Sequence, residues 1–277
     1  MPNQSAPFDT AHVRALLAHT RFADVRYAAQ TGSTNADAHA LLGIASALGT
    51  TIVTDHQTAG VGRKGRRWIA PSGSALLFTA ILPEPIDASA LWAVPFWIAL
   101  GIADGVEQCC GLALELVWPN DLHVRGQKIG GILSVARIAG NDAWVGCGAG
   151  LNVTRPPHDP DLAAVEPPPI FLGELTPPPQ REALLATILR EFDRSFDALR
   201  DPAAVAARWE RRAQLPGTIY RYRNDADGIE REGVAQRIGP YGALIVRDAD
   251  GEHAIDMADV RVTGRARDPA RTLPAQQ

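Results

Sequence analysis

Residues 117–133 read VWPNDLHVRGQKIGGIL. An apolar strand is expected over 115–118, and it runs into a rigid proline, an amide and a carboxylate: Pro119, Asn120 and Asp121. Such groups at a strand's end suit either a ligand site or a core tryptophan followed by a polar turn. Lys128 comes seven residues after Asp121, followed by Ile129 and the glycine pair Gly130 and Gly131. Paired glycines inside a strand mean that something passes close to the backbone, and a lysine beside them can balance a carboxylate or a phosphate. The strand is expected over 128–137. The turn AGND joins it to a second strand over 143–153, making a hairpin. In that second strand GCGAGLN again leaves room for a ligand, ahead of the amide of Asn152.

Upstream of this segment, Thr34 or Asn35 is placed to cap a helix through ADAHALLGIASAL, ending near Gly49. Strands are expected over 51–55 (TIVTD) and over 75–82 (ALLFTAIL), the latter apolar enough to be buried on both faces. A helix is expected over 88–109, with Pro95 early in it or bending it. Downstream the composition changes. Nine of the 21 prolines fall between 155 and 180, which rules out a helix or a central strand there and predicts a long covering loop. Helices are expected over 181–199 and 203–212. Five short strands then follow in about 50 residues (TIYRYR, REGVAQRI, GALIVRD, HAIDM, DVRVTG), the pattern of a small barrel. The tail from 267 is polar and is expected to be disordered.

The 277 residues are 46% hydrophobic and 21% charged, as in a globular protein with a sizeable core. The net charge of −4 gives no global field to draw the chain onto DNA or an acidic membrane. Cys109, Cys110 and Cys147 have neither metal-ligand spacing nor an even disulfide framework. The N-terminus lacks a signal peptide's pattern, and no run reaches the length of apolar residues that a membrane span needs. The expectation is a soluble cytoplasmic protein. Lysine and arginine together number 27, of which only Lys64 and Lys128 are lysines, leaving 25 arginines. In a chain this rich in arginine, lysine should persist where a compact point charge cannot be replaced by a planar fork.

Residues 59–68, AGVGRKGRRW, formally match G-x-G-x-x-G, but Arg66, Arg67, Trp68 and Pro71 do not open a helix as a dinucleotide fingerprint requires. What remains is a glycine loop whose exposed N–H groups lie beside Arg63, Lys64, Arg66 and Arg67. That is either a phosphate or carboxylate cradle or a solvated basic turn.

Taken in order, these segments resemble the bacterial biotin–protein ligases. TGSTN at 31–35 resembles their S-T-N motif, and residues 57–68 their glycine- and arginine-rich biotinyl-adenylate loop. WPND at 118–121 with KIGGIL at 128–133 resembles their most specific block, and GAGLNV at 148–153 their G-x-G-x-N-V strand. The resemblance spans roughly 25–265. It implies an α+β fold: a mixed-sheet catalytic domain of the biotin/lipoate ligase type with helices packed on it (1–214), a small SH3-like β-barrel (215–266) and the tail (267–277). It implies that biotin binds at Ser33, Thr34, Asn35, Gln57, Val61, Gly62, Arg63, Lys128 and Gly131. ATP would bind at Arg63, Lys64, Arg66, Trp68, Asn120, Lys128 and Asn152, with Lys128, Arg63 and Asp121 as catalytic groups. No metal ligand is read from the sequence; the resemblance brings Mg2+ in with ATP. The implied partner is a biotin carboxyl carrier protein domain, and a homodimer is compatible. Only 32 residues precede the S-T-N block, too few for the family's DNA-binding domain, so no specific DNA binding is expected. Two positions depart from the family's pattern: Val61 stands where its loop has an arginine, and Val117 where a lysine precedes W-P-N-D. A non-catalytic biotin-binding module and a ligase for lipoate or octanoate are the alternatives.

Overall fold

The computed structural model describes residues 8–157, 159–224, 228–256 and 258–266, so the expected disordered tail lies outside the described residues. The first half of the chain runs α1 (Thr10–Leu16), β1 (Val25–Thr31), α2 (Thr34–Leu41), β2 (Thr51–Gln57), β3 (Ala75–Ile81), β4 (Ile86–Asp87) and α3 (Val94–Cys110). Then come β5 (Glu115–Val117), β6 (Asp121–Val124), β7 (Gln127–Ala139), β8 (Asp142–Asn152), α4 (Pro160–Ala163), α5 (Arg181–Ser195) and α6 (Pro202–Arg212). Strands β9 (Thr218–Asn224), β10 (Glu230–Ile238), β11 (Leu244–Asp248), β12 (Gly251–Ile255) and β13 (Ala258–Arg265) end it.

The large sheet has the order β1-β2-β3-β8-β7-β6-β5, with β4 added beside β8. It is mixed: β1 and β2 are parallel and the other pairs antiparallel. β3 is buried at every position, because helices cover both faces. On one face α3, α5 and α6 pack over a single large core. On the other, α2 seals a smaller cluster of Ala38, Leu42, Ala47, Ile52 and Ile81. The α3–α5 contact is close because α3 has two glycines one turn apart. A β-carbon on Gly105 would stand 2.9 Å from the Cα of Ile188, and one on Gly101 would overlap the ring of Phe192. The stretch Ala88–Cys110 has the length and composition of a membrane span, yet 72% of its apolar window is buried inside this fold.

The five expected C-terminal strands form a second, antiparallel sheet, β12-β11-β10-β9-β13, with register shifts in β10 and β13 that curl it. Its core is continuous with the large one. The buried indole of Trp118 donates to Gly242 O at 3.0 Å, and the Trp118 N–H donates to Tyr220 Oη at 3.3 Å.

Four expectations need correction. The helix from Thr34 stops at Leu41 because Gly43 takes a φ of 91°, and Ala45–Ala47 is a separate turn. The helix expected over 88–109 is a 3-10 segment to Ala93 followed by α3, with Pro95 in the first turn. The helix expected over 181–199 is α5 to Ser195 followed by a 3-10 turn. The proline-rich stretch contains an α-helical turn, α4, capped by the Asp159 carboxylate and opened by Pro160, where no N–H is needed, and a 3-10 turn at Leu172–Glu174.

Candidate active site

The floor of the site is made by β6, β7 and β8. Asp121 opens β6 rather than ending a turn, and it accepts a hydrogen bond from Lys128 Nζ at 2.6 Å across the strand pair. Lys128 Cε and Nζ lie over Gly131, 3.6 and 3.7 Å from where a β-carbon would stand, so the lysine stem runs along bare backbone. Burial pushes the Asp121 carboxyl up. His123, with Nε2 at 4.0 Å, and the Lys128 ammonium together push it down further, and it sits below its ordinary value. Asn120 is bound to β7 through side chain and backbone: Nδ2 donates to Ile132 O at 2.7 Å, and the backbone carbonyl of Asn120 accepts from Ile132 N at 2.9 Å. Val117 is buried in the core directly opposite Asp121 in the strand register.

One wall is the N-terminus of α2. Ser33 occupies the cap position, buried, without its side chain capping the helix. Gln57 Oε1, at the end of β2, accepts from Thr34 N at 2.8 Å and from Thr34 Oγ1 at 3.2 Å. Thr79 Oγ1 lies 2.9 Å from Thr34 Oγ1 and 2.8 Å from Asn35 Oδ1, and Asn35 Nδ2 donates to Leu133 O at 2.9 Å. This wall dictates Gly148. A β-carbon there would come within 2.1 Å of Asn35 Oδ1 and 2.5 Å of Leu133 O.

The loop from 58 to 74 arches over the floor. Its own backbone folds it as a small hairpin: Gly62 N donates to Arg66 O at 2.7 Å, Trp68 N donates to Gly60 O at 2.9 Å, and Val61 bridges Arg67. Lys64 and Gly65, at φ 56° and 71°, form its left-handed tip. Val61 is 47% exposed, so its side chain has no part in the core. Trp68 lies flat on the facing glycines Gly131 and Gly150, which are register partners. A β-carbon on Gly150 would stand 2.7 Å from its ring. Lys128 Nζ is 5.9 Å from the ring centroid, and the Trp68 indole N–H is buried with no acceptor among the described residues. Arg67 pairs with Asp161 of α4 at 3.2 Å, both well exposed, which ties this loop to the proline-rich segment.

That segment is fastened to the floor by the chain itself. Ile170 N donates to Lys128 O at 3.0 Å, and the buried Asn152 Nδ2 donates to Ile170 O at 3.1 Å. Arg155 braces it through Glu174 at 2.7 Å and Pro169 O at 2.7 Å. Burial pushes the Glu174 carboxyl up, but Arg155 outweighs it with help from the Phe171 N–H, and the carboxyl is lowered.

The residues singled out from the sequence are therefore gathered around one patch of the sheet, with Trp68 lying over its glycines. Ser33, Thr34, Asn35 and Gln57 form its wall; Asn120, Asp121, Lys128, Gly131 and Asn152 its floor; Val61, Gly62, Arg63, Lys64, Arg66 and Trp68 its arch. Sequence reasoning missed Thr79, His123, Asp161 and Ile170. Thr79 had a signal, as the lone polar residue in the run ALLFTAIL. A cation on a bare strand, beside an aromatic ring and under a glycine loop, can hold a carboxylate and a phosphate together. Among the described residues no group of three or more His, Cys, Asp or Glu side chains is placed to hold a metal ion.

Comparison with known proteins shows the family and the fold. The sequence profile of the Biotin/lipoate A/B protein ligase family matches residues 28–152. A biotin–[acetyl-CoA-carboxylase] ligase of Paracoccus denitrificans is 32% identical over 244 residues, 84% of this chain and 98% of the relative. One from Mycobacterium tuberculosis is 32% identical over 231 residues, 78% of this chain and 80% of the relative. Among solved structures, a biotin protein ligase from Aquifex aeolicus in complex with biotin and ATP superposes with a TM-score of 0.69 at 19% identity. It covers 87% of this chain and 99% of its own. The chain belongs to the biotin/lipoate protein ligase family, among its biotin–[acetyl-CoA-carboxylase] ligases.

Proposed function

We propose that this chain is an ATP-dependent biotin–protein ligase. The biotin carboxylate attacks the α-phosphorus of ATP, forming biotinyl-5′-AMP and releasing pyrophosphate. A lysine amine of a biotin carboxyl carrier protein then attacks the acyl carbon, an amide forms, and AMP leaves. The observation that carries this reading is Lys128 laid over Gly131 beneath Trp68. Two anions must meet in the first step, and a fixed cation between them lowers their repulsion most in the transition state. The carrier follows from what the relatives are named for.

In this reading Ser33, Thr34, Asn35 and Gln57 face the ureido ring of biotin. Val61, Gly62 and Gly131 approach biotin through backbone. Arg63, with Lys128, neutralises the carboxylate and α-phosphate, while Lys64 and Arg66 meet the outer phosphates. Trp68 and Asn152 contact adenine, and Asn120 and Asp121 stand near the phosphate or the incoming lysine. Mg2+ arrives with ATP. Asp121 is the carboxylate of the floor and is already engaged by Lys128, so the phosphates are its main ligands. The chain's own work is positioning and charge neutralisation in a covered site. The division at 214/215 belongs to the same proposal. One core crosses it, so the barrel steadies Trp118 and with it the strand end that carries Asn120 and Asp121. We place the enzyme in the cytoplasm, with its ATP and carrier.

Pyrophosphate release measured with biotin, lipoate, octanoate or no acid, followed by transfer to a carrier domain, tests the proposal. Release that depends on biotin and labels the carrier is expected. Binding of biotin without release would leave only a binding module, and preference for lipoate or octanoate would move the chain to the other branch of its family.

A further inference from the structure

We infer that Arg181 is a positioning residue of the site, fastening the glycine–arginine loop from behind the sheet. Arg181 is the first residue of α5, and its side chain is only 10% exposed. Its Nη1 lies 2.6 Å from Asp55 Oδ1 and 3.5 Å from Ala75 O. Asp55 is in β2, two residues before Gln57, and Ala75 is the first residue of β3. One guanidinium therefore grips both stems of the 58–74 loop. The return limb is tied to the same place: Gly73 N donates to Asp55 O at 3.1 Å, and Ser74 O accepts from Val153 N and Thr154 N, both at 2.9 Å. Ala75 is the register partner of Asn152. The clamp thus reaches the wall, the arch and the end of the floor without touching the site. The second Asp55 oxygen accepts from Tyr27 Oη at 2.6 Å; burial, with this bond, raises the phenol to about 12. Both carboxylate oxygens are engaged.

A buried ion pair is seldom worth much net stability against a well-packed apolar substitute, and its better-attested use is to fix one arrangement among several. Here the arrangement fixed is the takeoff of the loop. The inference about catalysis rests on the ligase reading; the inference about the loop does not, and the experiment keeps them apart. Hydrogen exchange is measured on ligand-free wild type and Arg181→Gln, with KM for biotin and kcat for pyrophosphate release measured alongside. Exchange across 58–74 should speed on the order of tenfold or more while β7 and β8 keep their rates. KM for biotin should rise on the order of tenfold with kcat within about threefold, and Arg181→Lys should recover most of both. Should Arg181→Gln fail to fold, Asp55→Asn, of the same shape, must give the same pattern. Faster exchange spread evenly over the whole protein, or unchanged exchange at 58–74, would overturn the inference and leave a merely structural pair. Wild type without biotin-dependent release would refute the ligase reading alone.

Discussion

The floor strands around Lys128 and the tip of the arch around Lys64 both set a cation among glycines, but by different means. At Lys128 the glycines face one another across β7 and β8, and the space they leave is filled by the Trp68 ring and by the lysine's own stem. The charge is held by Asp121 on the neighbouring strand. At Lys64 the lysine itself takes a left-handed conformation at φ 56°, beside Gly65, on an exposed turn. In one place glycine makes room for a group that must stand still; in the other it lets a loop turn. An arginine-rich composition retained a lysine in both, and only the first setting explains why a fork would not serve.

The contrast can be broken most sharply at Lys128. Lys128→Ala should cut adenylate formation by about 10²–10³, the usual cost of losing a charge-stabilising contact, while the protein unfolds cooperatively as before. Lys128→Arg should recover little, since the planar head has no room over Gly131. Single-turnover pyrophosphate release checks both, and an arginine variant of wild-type rate would remove the distinction. Next in size is Gly148→Ala. With Leu133 O and Asn35 Oδ1 both inside 3 Å of the new carbon, it should cost about 1–3 kcal/mol in denaturant unfolding, as overpacking does, and weaken biotin binding by displacing Asn35. A silent substitution would mean that the wall is softer than the floor.

A smaller effect is expected from acid. The Asp121 carboxyl is lowered in the folded state. The stability it adds is therefore complete above the unfolded carboxylate value of about 3.9 and is lost as pH falls through the lower folded value. The gap in unfolding free energy between wild type and Asp121→Asn should be flat above about pH 5 and narrow below it; a gap that stays constant into strong acid would place the charge interaction elsewhere. The smallest effect belongs to Lys64→Ala. An exposed charge is worth about 1 kcal/mol or less, so KM for ATP should rise by about fivefold at most, and high salt should erase the difference. A loss comparable to that of Lys128→Ala would make the arch and the floor equals.

What could be read in the sequence was what local chemistry writes there. The hairpin of β7 and β8 followed from two strand-length runs on either side of the turn AGND, and the five C-terminal strands from their spacing. Lys128 could be placed over a bare strand because Gly130 and Gly131 follow it. The pairing of Thr34 with Gln57 and the fastening of Ile170 were not legible, since one joins separate elements and the other runs through backbone atoms that leave no trace in residue type. β1 was missed because only Val25 on it is fully buried, and α2 was read too long because a single glycine at 43 ends it. Arg181 and Asp55 lie 126 residues apart, and nothing near either residue announces the other. The proline count marked 155–180 as a cover but gave no sign of the α4 turn or of the Arg67–Asp161 link.

The Trp68 ring has a spectroscopic consequence. The chain has six tryptophans. Trp97 and Trp118 are buried with their indole N–H groups bonded to Ser195 O and Gly242 O, and Trp209 is sealed in the core. Trp68 alone lies on the glycine floor, with a buried donor that meets no acceptor among the described residues and a cation near its face. A ligand entering the site changes the ring's stacking, its electric field and its hydrogen bonding together. The indole proton of this one residue, followed by NMR, would therefore report occupancy of the site directly, against the buried indoles of Trp97, Trp118 and Trp209.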